Sequence, residues 1–153
     1  MAFTAQDVKN LREKTGVGMM ECKKALTEAD GDMDRAFEIL RERGLAASEK
    51  KASRIAAEGA IIAFTDDATK TTVLLEINSE TDFVGKNDKF QDFGLNVAKT
   101  IAASKPASVE ELANLALVGS DRTVQEALND LILVIGENLK IRRYEIVEGD
   151  VVT

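Results

Sequence analysis

Residues 60–77, AIIAFTDDATKTTVLLEI, contain two apolar runs separated by a polar segment. The runs Ala60–Phe64 and Thr71–Ile77 are short and rich in branched and aromatic side chains, as β-strands are. The segment between them, Asp66–Lys70, has the polar composition of a hairpin loop. We therefore predict an antiparallel β-hairpin, which excludes an all-helical fold.

Helical patterns and one more strand follow the hairpin. Apolar residues recur every three to four positions in three segments, and two of those segments open with the Ser/Thr-x-x-Glu pattern of a capping box. The predicted elements begin at Asn87 or Asp88, Ser108, Thr123 and, for the strand, about Lys140. This part of the chain is therefore α+β, with an antiparallel sheet and helices packed on one of its faces.

Three short helices are predicted before the hairpin. Thr4 and Asp7 mark the start of the first helix, Thr15–Gly18 interrupts it, and Asp32 is placed to cap the third. A segment rich in Ala, Lys, Glu and Arg then favours a helical connector. The predicted three-helix module, connector and α+β core span residues 1–45, 46–57 and 58–153.

Charge and cysteine content limit the classes of function. The chain has 20 basic and 27 acidic side chains and a net charge of −7, which argues against direct nucleic-acid binding. No apolar stretch is long enough to span a membrane, and the first residues do not resemble a signal peptide. Cys22 is the only cysteine, so we expect no internal disulfide and a cytoplasmic location.

The absence of histidine argues against an enzyme, because the commonest general base and metal ligand is missing. We expect no catalytic residue, no cofactor and no metal. Gly16–Gly18 favours a tight turn between helices over a phosphate-binding loop. Asp66 and Asp67 favour a solvated hairpin tip over a cation site, and Cys22 lies on an apolar helix stripe where core packing is expected.

Two features indicate partner binding instead. Met20 and Lys23 lie three residues apart on a helix, on a face turned away from the stripe that contains Cys22. Together with Met19 they favour an adaptable protein-docking surface. The alternative is that the methionines complete the core of the three-helix module.

The second feature is the connection Thr81-Asp82-Phe83-Val84-Gly85. Phe83 belongs neither to the apolar pattern of the preceding strand nor to that of the following helix. A large aromatic side chain in such a connection most often folds back into the core. The alternative is that it projects outward as an anchor for a partner.

Three segments resemble signatures of one family, bacterial translation elongation factor Ts. Its N-terminal module is similar to residues 8–26, VKNLREKTGVGMMECKKAL. Its two other signatures resemble Thr81–Val84 and residues 135–143, IGENLKIRR, and the order and spacing also match. The resemblance implies a three-helix module like the ubiquitin-associated (UBA) domain, followed by an α+β core.

The resemblance also implies a function and a set of site residues. Members of the family are guanine-nucleotide exchange factors of the GTPase elongation factor Tu, which carries aminoacyl-tRNA to the ribosome. By this resemblance we expect Asp82 and Phe83 to enter the GTPase near its magnesium and phosphate site, and Phe83 to be exposed. The full set of expected partner-binding residues is Arg12, Met19, Met20, Lys23, Thr81, Asp82, Phe83 and Val84.

Family members continue beyond the stretch that resembles residues 148–153, so we expect a C-terminally short or truncated form. This expectation leaves homodimer formation open. A rival hypothesis is a ribosome-associated or UBA-like interaction module without exchange activity. It accounts for residues up to about Leu45 but gives Thr81–Val84 no purpose, and a buried Phe83 would favour it.

Overall fold

The computed structural model describes residues 3–149 and confirms the α+β fold class. The helices are α1 (Ala5–Thr15), α2 (Met19–Glu28), α3 (Met33–Lys51), α4 (Asp88–Ser104), α5 (Val109–Ala113) and α6 (Val124–Ile135). The strands are β1 (Glu58–Asp66), β2 (Thr71–Ser79) and β3 (Lys140–Glu148), and a short 3-10 helix spans Val84–Lys86. Within residues 3–149, every helix is too short or too polar to cross a membrane.

The first of two compact units contains helices α1 to α3. It extends to Ser53 and includes Glu126–Glu137. As predicted, Thr4 caps α1, because its hydroxyl accepts a hydrogen bond from the Asp7 N–H at 3.2 Å and the Asp7 carboxylate accepts one from the Thr4 N–H at 2.9 Å. The apolar faces of the helices and Val17, in the turn between α1 and α2, form a core cluster. Its helical members are Val8, Leu11, Cys22, Ala25, Leu26, Ala36, Ile39 and Leu40.

Helix α3 is longer than the sequence suggested. The predicted connector from residue 46 continues α3 without a break as far as Lys51. Gly44 lies inside this helix and is buried, although glycine disfavours helix interiors. A Cβ atom there would lie 2.9 Å from Asp130 Oδ1, so this position has no room for a larger side chain. The domain limits at residues 45 and 57 stay a prediction.

The second unit comprises Arg54–Gln125 and the chain from Asn138 onward. Its three-stranded antiparallel sheet has the order β1-β2-β3, and α4 packs on β1 and β2. In β2 the buried side chains alternate as period two requires: Thr71, Val73, Leu75 and Ile77. Helix α4 buries its own apolar stripe, which includes Phe90, Phe93, Val97 and Ile101.

Gly59 brings the start of β1 unusually close to β2. Its φ angle of +136° is rarely adopted by other residues, and a Cβ atom at this position would lie 2.1 Å from the Ile77 carbonyl oxygen. The Gly59 carbonyl in turn lies against Gly85, where an added Cβ would be 3.1 Å from it. Glycine at position 59 is therefore a steric requirement next to the Thr81–Gly85 connection.

Arg142 and Arg143 are adjacent in β3, and a local irregularity of the sheet leaves both exposed. Strict alternation along a strand would place one of them on the helix-covered face. Instead, the register of β2 and β3 shifts between Glu76 and Ile77 and leaves Arg142 unpaired in the ladder, as in a β-bulge. Both arginines are exposed, and their Nε atoms lie 3.9 Å and 2.8 Å from the carboxylate oxygens of Glu76. Hydrogen bonds from Asn78 and Arg143 lower the pKa of Glu76.

Candidate functional site

The connection between β2 and α4 presents three consecutive exposed residues, Thr81, Asp82 and Phe83. Phe83 is 81% exposed, so the expectation of an outward aromatic is confirmed and the fold-back alternative is excluded for this conformation. A single exposed apolar residue is common on protein surfaces. An aromatic ring almost completely in water at the tip of a connection is suited to act as an anchor.

Polar contacts of Ser79, the last residue of β2, and of Glu80, which follows it, hold the start of this connection. Ser79 is fully buried, and its hydroxyl donates to the Thr81 carbonyl oxygen at 2.7 Å. Glu80 Oε1 accepts a hydrogen bond from the Asn138 backbone N–H at 2.7 Å. The Arg54 guanidinium lies 3.5 Å from the same oxygen. The backbone on the N-terminal side of Phe83 is therefore anchored to two other parts of its unit.

The end of the connection is also held. The Phe83 and Val84 carbonyl oxygens accept hydrogen bonds from the Lys86 and Asn87 N–H groups at 3.2 and 2.9 Å. Asn87 then caps α4, as predicted, because its side-chain oxygen accepts from the N–H groups of Lys89 and Phe90 at 2.9 and 3.1 Å. Phe83 is thus fixed between ordered neighbours on both sides.

Val84 differs from the other expected contact residues. It is only 6% exposed, so its side chain has almost no surface to offer a partner in this conformation. The reason is local geometry, since Val84 starts the 3-10 helix and turns its side chain inward while Phe83 stays outside. Its predicted contact with a partner stays a prediction, and in the free chain its buried side chain helps to hold the loop.

The other candidate surface lies at the start of α2. Met19 and Met20 are 56% and 68% exposed, so they do not complete the core of the module. Lys23 is exposed on the same helix, where residues three and four apart are neighbours. Arg12 is exposed near the end of α1. These four exposed residues, Arg12, Met19, Met20 and Lys23, are together called the α1–α2 patch below.

Cys22 and Asp66, which were weaker candidates for a functional site, make local structural contacts. The Cys22 thiol is buried and donates to the Val17 carbonyl oxygen at 3.5 Å. Asp66 Oδ1 accepts from the Ala68 N–H at 3.0 Å within the hairpin turn. Across the residues that the structure describes, 3–149, no cluster of carboxylates and cysteine could hold a metal ion.

The sequence interpretation missed Glu80 and Ser79 as anchors of the Phe83 connection. A glutamate at a strand end is too common to stand out by itself. Its partner, Asn138, is 58 residues away, and only the fold brings the two together. Asn138 was present in the quoted segment 135–143, but with no role assigned.

Known proteins that are similar to this chain carry one name. A family model described as elongation factor TS matches residues 80–153. Elongation factor Ts of Clostridium novyi (strain NT) is 54% identical over 143 residues, or 93% of this chain and 47% of that protein. The chain is similar to elongation factor Ts proteins over nearly all of its length. The elongation factor Ts of Trichlorobacter lovleyi is 52% identical over 145 residues, or 94% of this chain and again 47% of that protein.

The resemblance seen in the three signatures is thereby confirmed. The elongation factor Ts family model begins at Glu80, and so includes the Phe83 connection, Asn138 and β3. The chain spans about half the length of the curated elongation factor Ts proteins it matches.

Proposed function

We propose that the chain is a guanine-nucleotide exchange factor that binds elongation factor Tu and promotes GDP release, with Asp82 and Phe83 inserted near the magnesium and phosphate site. The observation that carries this proposal is the 81% exposure of Phe83 on a connection held at both ends. Similarity to elongation factor Ts proteins supports the choice of partner.

The proposed mechanism is a coupling between two ligands of one GTPase. The exchange factor and GDP each weaken the binding of the other by the same factor. A thousandfold weakening requires about 4 kcal/mol, whereas burial of one Phe side chain contributes about 1.5–3 kcal/mol. Phe83 therefore needs a second attachment, and we assign that role to the α1–α2 patch.

The patch is suited to this role by its chemistry. The exposed methionines Met19 and Met20 are flexible and polarizable, so they adapt to a partner surface. The cations Arg12 and Lys23 add long-range attraction to an acidic partner and help to orient the approach. In this proposal the patch supplies affinity, and Asp82 and Phe83 perturb the nucleotide site.

The rest of the proposal follows from this role. The chain forms and breaks no covalent bond in its partner, so it is not an enzyme and requires no cofactor. We place it in the cytoplasm, where elongation factor Tu acts, and propose no direct contact with nucleic acid. Homodimer formation stays an open prediction that light scattering on the purified chain decides.

The test is a thermodynamic cycle of four binding measurements. The affinity of elongation factor Tu for fluorescent GDP is measured with and without saturating chain, and its affinity for the chain is measured with and without GDP. The proposal predicts that both affinities fall by the same factor, on the order of a thousandfold. Binding of the chain that leaves GDP affinity unchanged would support the rival interaction module and contradict exchange.

A further inference from the structure

We propose that Glu80 and Asn138 are positioning residues that hold the Phe83 connection in its outward conformation. This inference rests on the proposed function and adds two residues to its mechanism. Neither residue offers the large exposed surface of a contact: Asn138 is 9% exposed, and the Glu80 side chain is 23% exposed. Their effect is exerted through Phe83.

The two residues form a polar clamp between three segments that are distant in sequence. Glu80 Oε1 accepts from the Asn138 backbone N–H at 2.7 Å, and Asn138 Nδ2 donates to the Arg54 carbonyl oxygen at 2.7 Å. The Arg54 guanidinium approaches Glu80 Oε1 at 3.5 Å. The end of β2, the start of β3 and the first residue of the unit are thereby tied together.

Partial burial makes this clamp effective. A hydrogen bond to a charged acceptor is shorter and stronger than one between neutral groups. If the carboxylate is removed, the Asn138 N–H loses its acceptor in a nearly buried position, where water replaces it poorly. The β-sheet still holds β2 as far as Ser79, but the backbone that follows Ser79 loses its link to Asn138.

The clamp acts directly next to the exposed residues. Three residues, Thr81, Asp82 and Phe83, separate the anchored Glu80 from the buried Val84. A segment this short has few conformations while both ends are fixed. Release of Glu80 leaves the Ser79–Thr81 hydrogen bond among the contacts that hold the start of this segment. The segment gains conformational freedom, which binding must then remove again. The clamp thus lowers the entropic cost of inserting Phe83.

The competing explanation is that Glu80 only stabilises the fold and does not position Phe83. Four variants distinguish these two roles. Glu80→Ala removes the acceptor, whereas Glu80→Gln keeps an oxygen that can accept from Asn138. Asp67→Ala, at the exposed hairpin turn, is the matched loss of one acidic charge. Glu80→Ala is also combined with Phe83→Ala, since a positioning residue loses its effect when the residue it positions is truncated.

The first measurement uses the isolated full chain and is independent of any partner. Backbone NMR order parameters of Thr81, Asp82 and Phe83 are compared between the wild type and the Glu80 variants, with circular dichroism to confirm folding. We expect lower order parameters in Glu80→Ala and wild-type values in Glu80→Gln and Asp67→Ala. Unchanged order in a folded Glu80→Ala would overturn the clamp.

The second measurement is the release of fluorescent GDP from elongation factor Tu. We expect Glu80→Ala to reduce the acceleration of GDP release about tenfold. This factor corresponds to the conformational entropy of one backbone residue that must be ordered again on binding. Glu80→Gln should stay within about twofold of wild type, and Glu80→Ala should add nothing in the Phe83→Ala background. An equal loss in both backgrounds would overturn the positioning role. A wild-type chain without effect would instead refute the proposed function, while the order parameters still test the clamp.

Discussion

Truncation of Phe83 to alanine separates the insertion of the ring from the rest of the interface. The residue is 81% exposed in the free chain, so nearly all of its apolar area is still available for burial against a partner. Complete burial of a Phe side chain contributes about 1.5–3 kcal/mol. We expect Phe83→Ala to remove about 2 kcal/mol of that contribution, which is about thirtyfold in rate.

The loss should appear mainly in GDP release. In the proposed mechanism, the free energy of ring burial is largely offset by the opening of the magnesium and phosphate site, so it adds little to the affinity for the nucleotide-free GTPase. Stopped-flow release of fluorescent GDP and titration of nucleotide-free elongation factor Tu measure the two effects separately. Release should slow much more than affinity falls, and equal losses in both would refute the insertion of Phe83.

Two controls belong to this experiment. Ile55→Ala removes another apolar side chain that is 84% exposed, and we expect release rates to stay close to wild type. Thermal unfolding of Phe83→Ala should match that of the wild type, because substitution of an exposed side chain usually changes stability by less than about 0.5 kcal/mol. A large stability loss would mean that Phe83 also packs within the chain.

Three further predictions concern other parts of the molecule. Lys23→Glu should weaken association with elongation factor Tu about tenfold at low salt and less at about 1 M salt; an exchange defect that higher protein concentration does not correct would count against docking. Gly59→Ala should lower the free energy of unfolding by about 3 kcal/mol in urea titrations, because its Cβ would meet the Ile77 carbonyl oxygen; wild-type stability would contradict the close approach. Glu76→Gln should be less stable than wild type near neutral pH, and the difference should vanish in acid. The depressed pKa of Glu76 stabilises the fold above the ordinary carboxyl pKa, and this stability is lost as pH falls through the folded value; a difference independent of pH would contradict that cause.

Local chemistry made the elements predictable from sequence. The caps at Thr4, Asp32 and Asn87 and the run of branched side chains in β2 depend on neighbours within a few residues, and the structure confirms these caps and this strand. The Phe83 exposure was not predictable in this way. The apolar patterns left Phe83 unassigned, and only the family resemblance favoured an outward ring.

The features that were not predicted from the sequence depend largely on distant parts of the chain. The bulge that exposes both Arg142 and Arg143 arises from a register shift against β2, which no pattern within β3 encodes. The burial of Val84 beside three exposed neighbours was also not predicted, because a sequence signature does not show which side chains point inward. Glu80 needed Asn138, whose position beside it is a product of the sheet.

The central claim is that this chain accelerates nucleotide exchange, and one measurement tests it most directly. Elongation factor Tu loaded with fluorescent GDP is mixed with excess unlabelled GDP and increasing amounts of the chain in a stopped-flow instrument. The account predicts that the release rate rises with chain concentration and approaches a plateau as the GTPase becomes saturated. A release rate that stays at its intrinsic value at every concentration would contradict the account.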